Sequence, residues 1–365
     1  MTPKLRRLSL WLAPLIAVAV TLLMMSAGWA REGALTGGLT VLCALWWIFE
    51  PIPIPATAMI PLGVFPLLGI LDGKQVAQAY GDPLIILLMG GAMLSKAMEK
   101  SGAHRRIALM MVNACPAGEK FIILGFMIAT AFLSMWISNT ATTLMMLPMA
   151  LAVIQGSKNK DLTIPLLLGI AFAANVGGIG TPIGTPPNLV MIGAYKDLGF
   201  PELSFTQWMK FGAPVTIIMV LVTWLWLSRG ITGKNNIALP NPGIWTKAEI
   251  RTLIVFSLTA LAWISRSEPF GGWKTWLNLP AANDASVAFI SVIILFCLPD
   301  GEKKGARLLD WETANKIPWG MLVLVGAGLC LGEGFKQSGL SASIATLFSG
   351  IESLPLSFSF WVSVF

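Results

Sequence analysis

The sequence predicts an all-α polytopic membrane protein that contains a re-entrant helical hairpin and a broken helix. Of its 365 residues, 55% are hydrophobic and 12% charged, and the mean hydropathy is +0.74. Soluble domains carry about 25% charged residues, so this composition excludes a soluble fold. Two stretches, 131–148 and 175–188, interrupt apolar sequence with small polar residues, glycines and prolines. They predict the hairpin and the broken helix.

Apolar runs define the predicted spans. Residues 1–7 are basic, and the apolar run 8–30 predicts a first span. A signal peptide is the alternative, but its apolar core usually has only 7–15 residues. The stretch 101–115 is amphipathic with a basic start, which predicts an interfacial helix. Further spans are predicted at 35–49, 56–71, 83–98, 211–227, 252–264, 286–298, 318–335 and 354–365.

The stretch 131–148 (AFLSMWISNTATTLMMLP) is centred on Ser138, Asn139 and Thr140. A helix needs about 20 apolar residues to cross a bilayer, and neither flank of the triplet supplies them. Both outer ends are basic, which predicts a hairpin over about 119–157 that enters and leaves on one side. Its polar tip must then be buried in protein or line a watery cavity. The alternative is one long buried helix whose Ser and Thr hydroxyls bond back to carbonyls.

The stretch 175–188 (NVGGIGTPIGTPPN) has four glycines and three prolines between apolar flanks. Proline lacks the amide hydrogen and glycine frees the backbone, so a helix cannot continue through it. This predicts a broken helix over about 163–195, a device with which secondary transporters bind ions and anions. A kinked helix or a surface loop is the alternative. The absence of charge between Asp161 and Lys196 disfavours a loop.

The basic residues predict a cytoplasmic N-terminus. With a re-entrant hairpin, 18 of the 25 basic residues fall inside, as the positive-inside rule requires. A net charge of +7 is then attributed to cytoplasmic loops, not to nucleic-acid binding. The seven residues predicted outside are Arg31, Lys74, Lys196, Lys210, Arg266, Lys274 and Lys336.

An internal repeat predicts the domain organisation. The segment 88–102 resembles 325–339, and the topology gives the two copies opposite directions, as in inverted-repeat transporters. We therefore expect an N-terminal span (1–33), a first repeat (34–228), a cytoplasmic linker (229–250) and a truncated second repeat (251–365). By the spacing of the first repeat, a second polar triplet would lie past Phe365, so we expect the chain to be a fragment.

The two polar stretches resemble those of the divalent-anion/sodium symporter family, through 134–143 (SMWISNTATT) and 184–188 (GTPPN). The resemblance implies a homodimeric, multi-pass inner-membrane protein that imports dicarboxylates with sodium by an elevator mechanism. It implies a sodium site at Ser134, Ser138, Asn139 and Gly184. It implies a substrate site at Ser138, Asn139, Thr140 and Thr185. For Ser134 and Thr142 the alternative is a bond back to the same helix, and we expect this for Thr142.

Several functions stay open. A sodium-coupled importer of succinate, malate or fumarate is the leading hypothesis, and citrate and sulfate remain open as substrates. A sodium-independent dicarboxylate/citrate exchanger of the same fold is the alternative, and an intramembrane enzyme is the third hypothesis. A channel is also considered, but the broken span and the inverted repeat favour alternating access. An enzyme is disfavoured because the spans offer no buried acid and the only histidine, His104, lies at a membrane edge. No organic cofactor is expected.

Overall fold

The computed structural model describes residues 3–116, 118–157, 159–201, 203–231, 233, 243–268 and 270–348. Within these residues it is all-helical, and its only β contact is an isolated bridge between Pro299 and Arg307. The predicted span at 354–365 and residues 232 and 234–242 of the predicted linker lie outside the described residues.

The helices, in chain order, are α1 (Pro3–Ser26), α2 (Arg31–Phe49), α3 (Ile54–Thr57), α4 (Ile60–Leu68), α5 (Gly73–Tyr80), α6 (Pro83–Ser101), α7 (Ala103–Asn113), α8 (Glu119–Ser134), α9 (Asn139–Gly156), α10 (Thr163–Gly177), α11 (Pro186–Asp197), α12 (Phe205–Leu227), α13 (Lys247–Ile264), α14 (Gly272–Trp276), α15 (Asp284–Cys297), α16 (Trp311–Ala314), α17 (Trp319–Gln337) and α18 (Leu340–Phe348). Short 3₁₀ turns lie at Lys160–Leu162 and Gly178–Gly180.

Six helical segments in the described part of the chain have the length and hydropathy to cross a membrane, which confirms a polytopic membrane protein. They are Pro3–Ser26, Arg31–Phe49, Gly73–Ser101, Lys160–Gly180, Phe205–Leu227 and Trp319–Gln337. The run 56–71, predicted as one span, instead forms α3 and α4. Pro61 stands in the first turn of α4, where its missing N–H is tolerated, so a new helix begins there.

The chain divides into two compact units. The first comprises Met1–Ile85 and Trp319–Phe365. Its α1 packs along α2, and its core gathers Phe65, Val76 and Leu331 from α4, α5 and α17. At Gly334 a Cβ would lie 2.5 Å from the ring of Phe65, so glycine permits this close approach.

The second unit, Ile86–Pro318, has its core around the hairpin of α8 and α9. Helix α8 contributes Ile123, Phe126 and Met127 to this core and packs against both α10 and α7. With 16 residues, α8 is about 24 Å long, less than the ~30 Å hydrocarbon core of a bilayer. Neither α8 nor α9 is among the six span-length segments. That the hairpin is re-entrant remains a prediction.

Candidate functional site

The tip of the hairpin is a short turn between two helix ends. Helix α8 ends at Ser134 and α9 begins at Asn139. Ser138 has an extended backbone, and its hydroxyl accepts a hydrogen bond from the Ala141 N–H at 3.3 Å. This is an N-cap, a position at which serine is strongly preferred. The cap leaves the first N–H groups of α9, with their partial positive charge, at the tip.

The chain breaks a second time beside the hairpin. Helix α10 ends at Gly177, passes through the 3₁₀ turn Gly178–Gly180, and helix resumes at Pro186. Pro186 and Pro187 occupy the first positions of α11, where a missing N–H costs nothing. Thr185 is the N-cap residue, but its hydroxyl makes no capping bond. It is half-buried.

The carbonyls at the end of α10 are satisfied by side chains of α12. The Thr216 hydroxyl donates to the Val176 carbonyl at 3.0 Å, and the Trp208 indole N–H donates to the Ile179 carbonyl at 2.8 Å. Carbonyls at a helix C-terminus have no partner within the helix, so these bonds hold the break at a defined place.

Three oxygen atoms meet where the hairpin contacts α10. The Ser134 Oγ lies 2.6 Å from the Asn139 Oδ1 and 2.6 Å from the Ala174 carbonyl oxygen. Ser134 is fully buried. Its hydroxyl has one proton, which can satisfy only one of the two acceptors at a time. The arrangement is therefore rich in oxygen lone pairs, and neutral oxygens of this kind suit a hard cation.

Glycines let the break approach the hairpin tip. A Cβ at Gly184 would lie 2.5 Å from the Gly178 carbonyl oxygen and 3.0 Å from that of Met135. A Cβ at Gly178 would lie 2.9 Å from the Asn139 Oδ1. A side chain at Gly184 would therefore require the backbone to move, whereas a side chain at Gly178 would displace the side chains of Asn139 and Thr185. Gly184 therefore lies close to the same turn as Ser134 and Asn139.

The predicted substrate residues form the accessible side of this region. Ser138 and Thr140 are exposed, while Asn139 and Thr185 are half-buried. No charged residue occurs in 121–157 or in 162–195, so neutral donors and helix N-termini are what this surface offers a ligand. In the described residues, no cluster of three or more His, Cys, Asp or Glu side chains could hold a metal ion.

The structure adds residues that the sequence prediction left out. The Asn139 side-chain N–H₂ lies 3.4 Å from the Asn175 Oδ1, and Asn175 is exposed. Asn175 is the only polar side chain in 164–176, a signal that could have marked it. The Thr181 hydroxyl, for which we had no expectation, donates to the Met135 carbonyl. The Asn188 side-chain amide donates to the carbonyls of Gly178 and Thr181.

The expectation for Thr142 is wrong. Its hydroxyl was expected to bond back to a carbonyl of its own helix, but in the described structure the buried Oγ1 has no hydrogen-bond partner. Ser134 also makes no such bond, because its hydroxyl reaches Asn139 and Ala174 instead. Thr130, about one turn before Ser134 on α8, does bond back, to the Phe126 carbonyl at 2.6 Å.

Comparison with known proteins finds similarity to one transporter family and to individual transporters. Residues 44–365 match the citrate transporter family. The chain is 35% identical over 380 residues to the sodium-dependent dicarboxylate transporter SdcS of Staphylococcus saprophyticus, covering 97% of this chain and 72% of that protein. It is 36% identical over 358 residues to the protein of the same name from Staphylococcus aureus, covering 92% of this chain and 68% of that protein.

Proposed function

The chain belongs to the divalent-anion/sodium symporter family, and from that premise we propose that it imports dicarboxylates of the succinate, malate and fumarate class together with sodium. As a member of this family it is a transporter and not an enzyme. The relatives named sodium-dependent dicarboxylate transporters support both the coupling ion and the substrate class.

One observation carries the sodium proposal. The Ser134 Oγ, Asn139 Oδ1 and Ala174 carbonyl oxygen share a single hydroxyl proton at 2.6 Å separations. A sodium ion near Ser134 and Asn139 would relieve the crowding of these lone pairs, with a further ligand expected from Gly184. Ser138 would take part through its hydroxyl lone pairs while still capping α9. Burying a neutral oxygen set costs less than burying a carboxylate, which suits a site at membrane depth.

The substrate carboxylate is proposed to bind at the N-termini of α9 and α11. Asn139, Thr140 and Thr185 would supply side-chain donors, and the first N–H groups of α9 would add their partial positive charge. Sodium bound beside Asn139 would lie close to the carboxylate. Opposite charges at this distance attract, so each ligand should raise the affinity of the other by the same factor.

The transport cycle is proposed to be of the elevator type, in a homodimer in the inner membrane with the N-terminus in the cytoplasm. Short helices that end at Ser134 and at Gly177 suit this mechanism, because the binding groups move with their half-helices as one body. The repeat of 88–102 at 325–339 supports two inverted repeats around the site.

The test is a binding measurement on the purified full chain in lipid nanodiscs. Radiolabelled succinate should bind in sodium buffer and lose most of its affinity in potassium buffer, and malate, fumarate, citrate and sulfate should be compared as competitors. Asn139→Ala should abolish sodium-dependent binding at unchanged helicity. Gln155→Ala, at the exposed C-terminal end of α9, is the matched control. Binding of equal affinity in both buffers would favour the sodium-independent dicarboxylate/citrate exchanger instead.

A further inference from the structure

We propose that Thr181 and Asn188 are positioning residues that tie the broken helix to the hairpin turn and thereby set the sodium affinity. We call this pair of side chains the break clasp. The inference rests on the proposed function for its sodium measurement, but the contacts that define the clasp are independent of it.

Asn188 closes the break from the side of α11. Its side chain is only 6% exposed, and its amide nitrogen donates to the Gly178 carbonyl at 2.7 Å and to the Thr181 carbonyl at 2.8 Å. Both N–H groups of the amide are therefore used on the segment between the two half-helices. Removing them would leave two carbonyls without these buried donors, which is costly in a protein interior.

Thr181 connects the break to the hairpin. Its side chain is fully buried, and its hydroxyl donates to the carbonyl of Met135, a residue 46 positions earlier in the turn between α8 and α9. This bond joins two irregular segments that no regular secondary structure connects. It is therefore a direct tie between the loop of the hairpin and the loop of the broken helix.

The carbonyls held by the clasp surround the predicted sodium ligands. Gly184 packs against the carbonyl oxygens of Met135 and Gly178, which accept from Thr181 and from Asn188 respectively. Gly178 in turn lies against the Asn139 side chain. The clasp thus fixes the position of Gly184 relative to Asn139, although Thr181 and Asn188 are buried, unlike the exposed Ser138 and Thr140.

The expected consequence is preorganisation. A binding site is effective when its groups are held within about 0.5 Å of their bound geometry, so that the ion does not have to order them. In this region no charged side chain compensates for a loosely held oxygen set. Loss of the clasp should therefore weaken sodium binding first. Succinate binding should weaken only because less sodium is bound.

The experiment uses Thr181→Val, which keeps the shape of threonine and removes the hydroxyl, and Thr181→Ser, which restores it. The first measurement, in nanodiscs, is the sodium concentration that gives half-maximal succinate binding, called the sodium half-saturation. The second is the affinity for succinate at saturating sodium. Thr181→Val should raise the sodium half-saturation about tenfold, the effect of losing a buried hydrogen bond. In Thr181→Ser the half-saturating sodium concentration should remain within about twofold of wild type. At saturating sodium, both variants should bind succinate with wild-type affinity.

Thr130→Val is the matched control, because Thr130 is equally buried but its hydroxyl donates to the Phe126 carbonyl of its own helix. It should leave the sodium half-saturation within about twofold of wild type. Asn188→Leu, like Thr181→Val, should raise the sodium half-saturation. Hydrogen exchange of the 178–185 amides should accelerate in Thr181→Val and not in Thr130→Val, a readout that does not depend on sodium.

Equal sodium half-saturation and equal exchange in Thr181→Val and Thr130→Val would overturn the clasp while leaving the proposed function intact. A loss of succinate affinity in Thr181→Val that saturating sodium does not restore would also overturn it, because the effect would then not act through the ion. Wild-type protein that binds succinate without any sodium dependence would instead overturn the proposed function, and the sodium role of the clasp with it.

Discussion

Arg106 and Glu249 form a buried ion pair in which the Nε lies 2.7 Å from the Oε2, with side chains only 9% and 7% exposed. The same guanidinium donates to the carbonyls of Gly243 at 3.0 Å and Ile244 at 2.7 Å, and it lies 5.1 Å from the ring centroid of Trp245. The basic start of α7, expected from the sequence to face an interface, therefore anchors the segment that leads into α13.

Arg106→Met should destabilise the protein strongly, because it leaves the Glu249 carboxylate buried without its cation. Breaking a buried pair in this way costs about 3–5 kcal/mol. Thermal unfolding of the purified protein measures it. Lys316→Met is the control, since Lys316 and Glu312 form an exposed pair, 64% and 86% accessible, of a kind worth at most about 1 kcal/mol. Equal shifts in the two variants would contradict an anchoring role for Arg106.

The same pair predicts a pH dependence. Burial raises the pKa of Glu249, but hydrogen bonds from Arg106 and Thr246 outweigh it and hold the pKa below its ordinary value of 4.5. A carboxyl whose pKa is depressed in the folded state stabilises the fold at pH values above its ordinary pKa. This stability is lost as the pH falls through the lower pKa of the folded state. The melting temperature of wild type should therefore fall more steeply than that of Glu249→Gln below about pH 4.5. Parallel curves would contradict the pKa shift.

The sequence predicted the helices better than the contacts among them. Hydropathy located α12 and α17 because their length and apolar content are properties of the local sequence. It failed at 56–71, where Pro61 starts a new helix inside a continuous apolar run. The bond from Thr181 to Met135 depends on how two loops pack, so no local pattern predicts it. The same reason explains the error at Thr142. The role of the predicted site residues remains a prediction.

Asn175→Asp should separate substrate binding from sodium binding. An aspartate can still accept from the Asn139 side chain, but it replaces an N–H₂ group by a negative oxygen at the exposed surface beside it. Like charges a few ångströms apart near a protein surface repel by more than 1 kcal/mol. We therefore expect the affinity for succinate to fall about tenfold or more, with sodium half-saturation no higher than in wild type.

Asn278→Asp makes the same chemical change at an exposed turn after α14, where its positive φ of 52° is tolerated by aspartate. It should bind succinate as wild type does. Succinate affinity in Asn175→Asp equal to that of this control would show that Asn175 does not face the substrate.

Gly177→Ala tests the close packing of the broken helix on α8. A Cβ at Gly177 would lie 2.4 Å from the Ala131 carbonyl oxygen and 2.6 Å from its Cα, so the two backbones would have to separate. Overpacking of this kind costs about 1–3 kcal/mol, and the melting temperature should fall accordingly. Gly328→Ala in α17 is the control, because in the described part of the chain no atom outside the backbone of its own helix lies within 4 Å of the added methyl group. A similar melting temperature in both variants would refute the packing argument.

The re-entrant hairpin predicts that both of its ends face the cytoplasm. Single cysteines in place of Lys120, before the main part of α8, and Lys160, after α9, should both react with an impermeant maleimide only in inside-out vesicles. Both lysines are exposed, so access is limited by the membrane alone. These variants are made in a background that lacks the four native cysteines. Lys74 is also exposed but is predicted on the opposite side of the membrane, so Lys74→Cys should label only in right-side-out vesicles.

Labelling of positions 120 and 160 from opposite faces would mean that the hairpin region crosses the membrane once. Every later loop would then invert, and the basic cluster Lys303, Lys304 and Arg307 would lie outside, against the charge asymmetry of the rest of the chain. A cysteine at Lys303 separates the two topologies independently of the hairpin. It should label from the cytoplasmic face if α8 and α9 return to the side from which they entered.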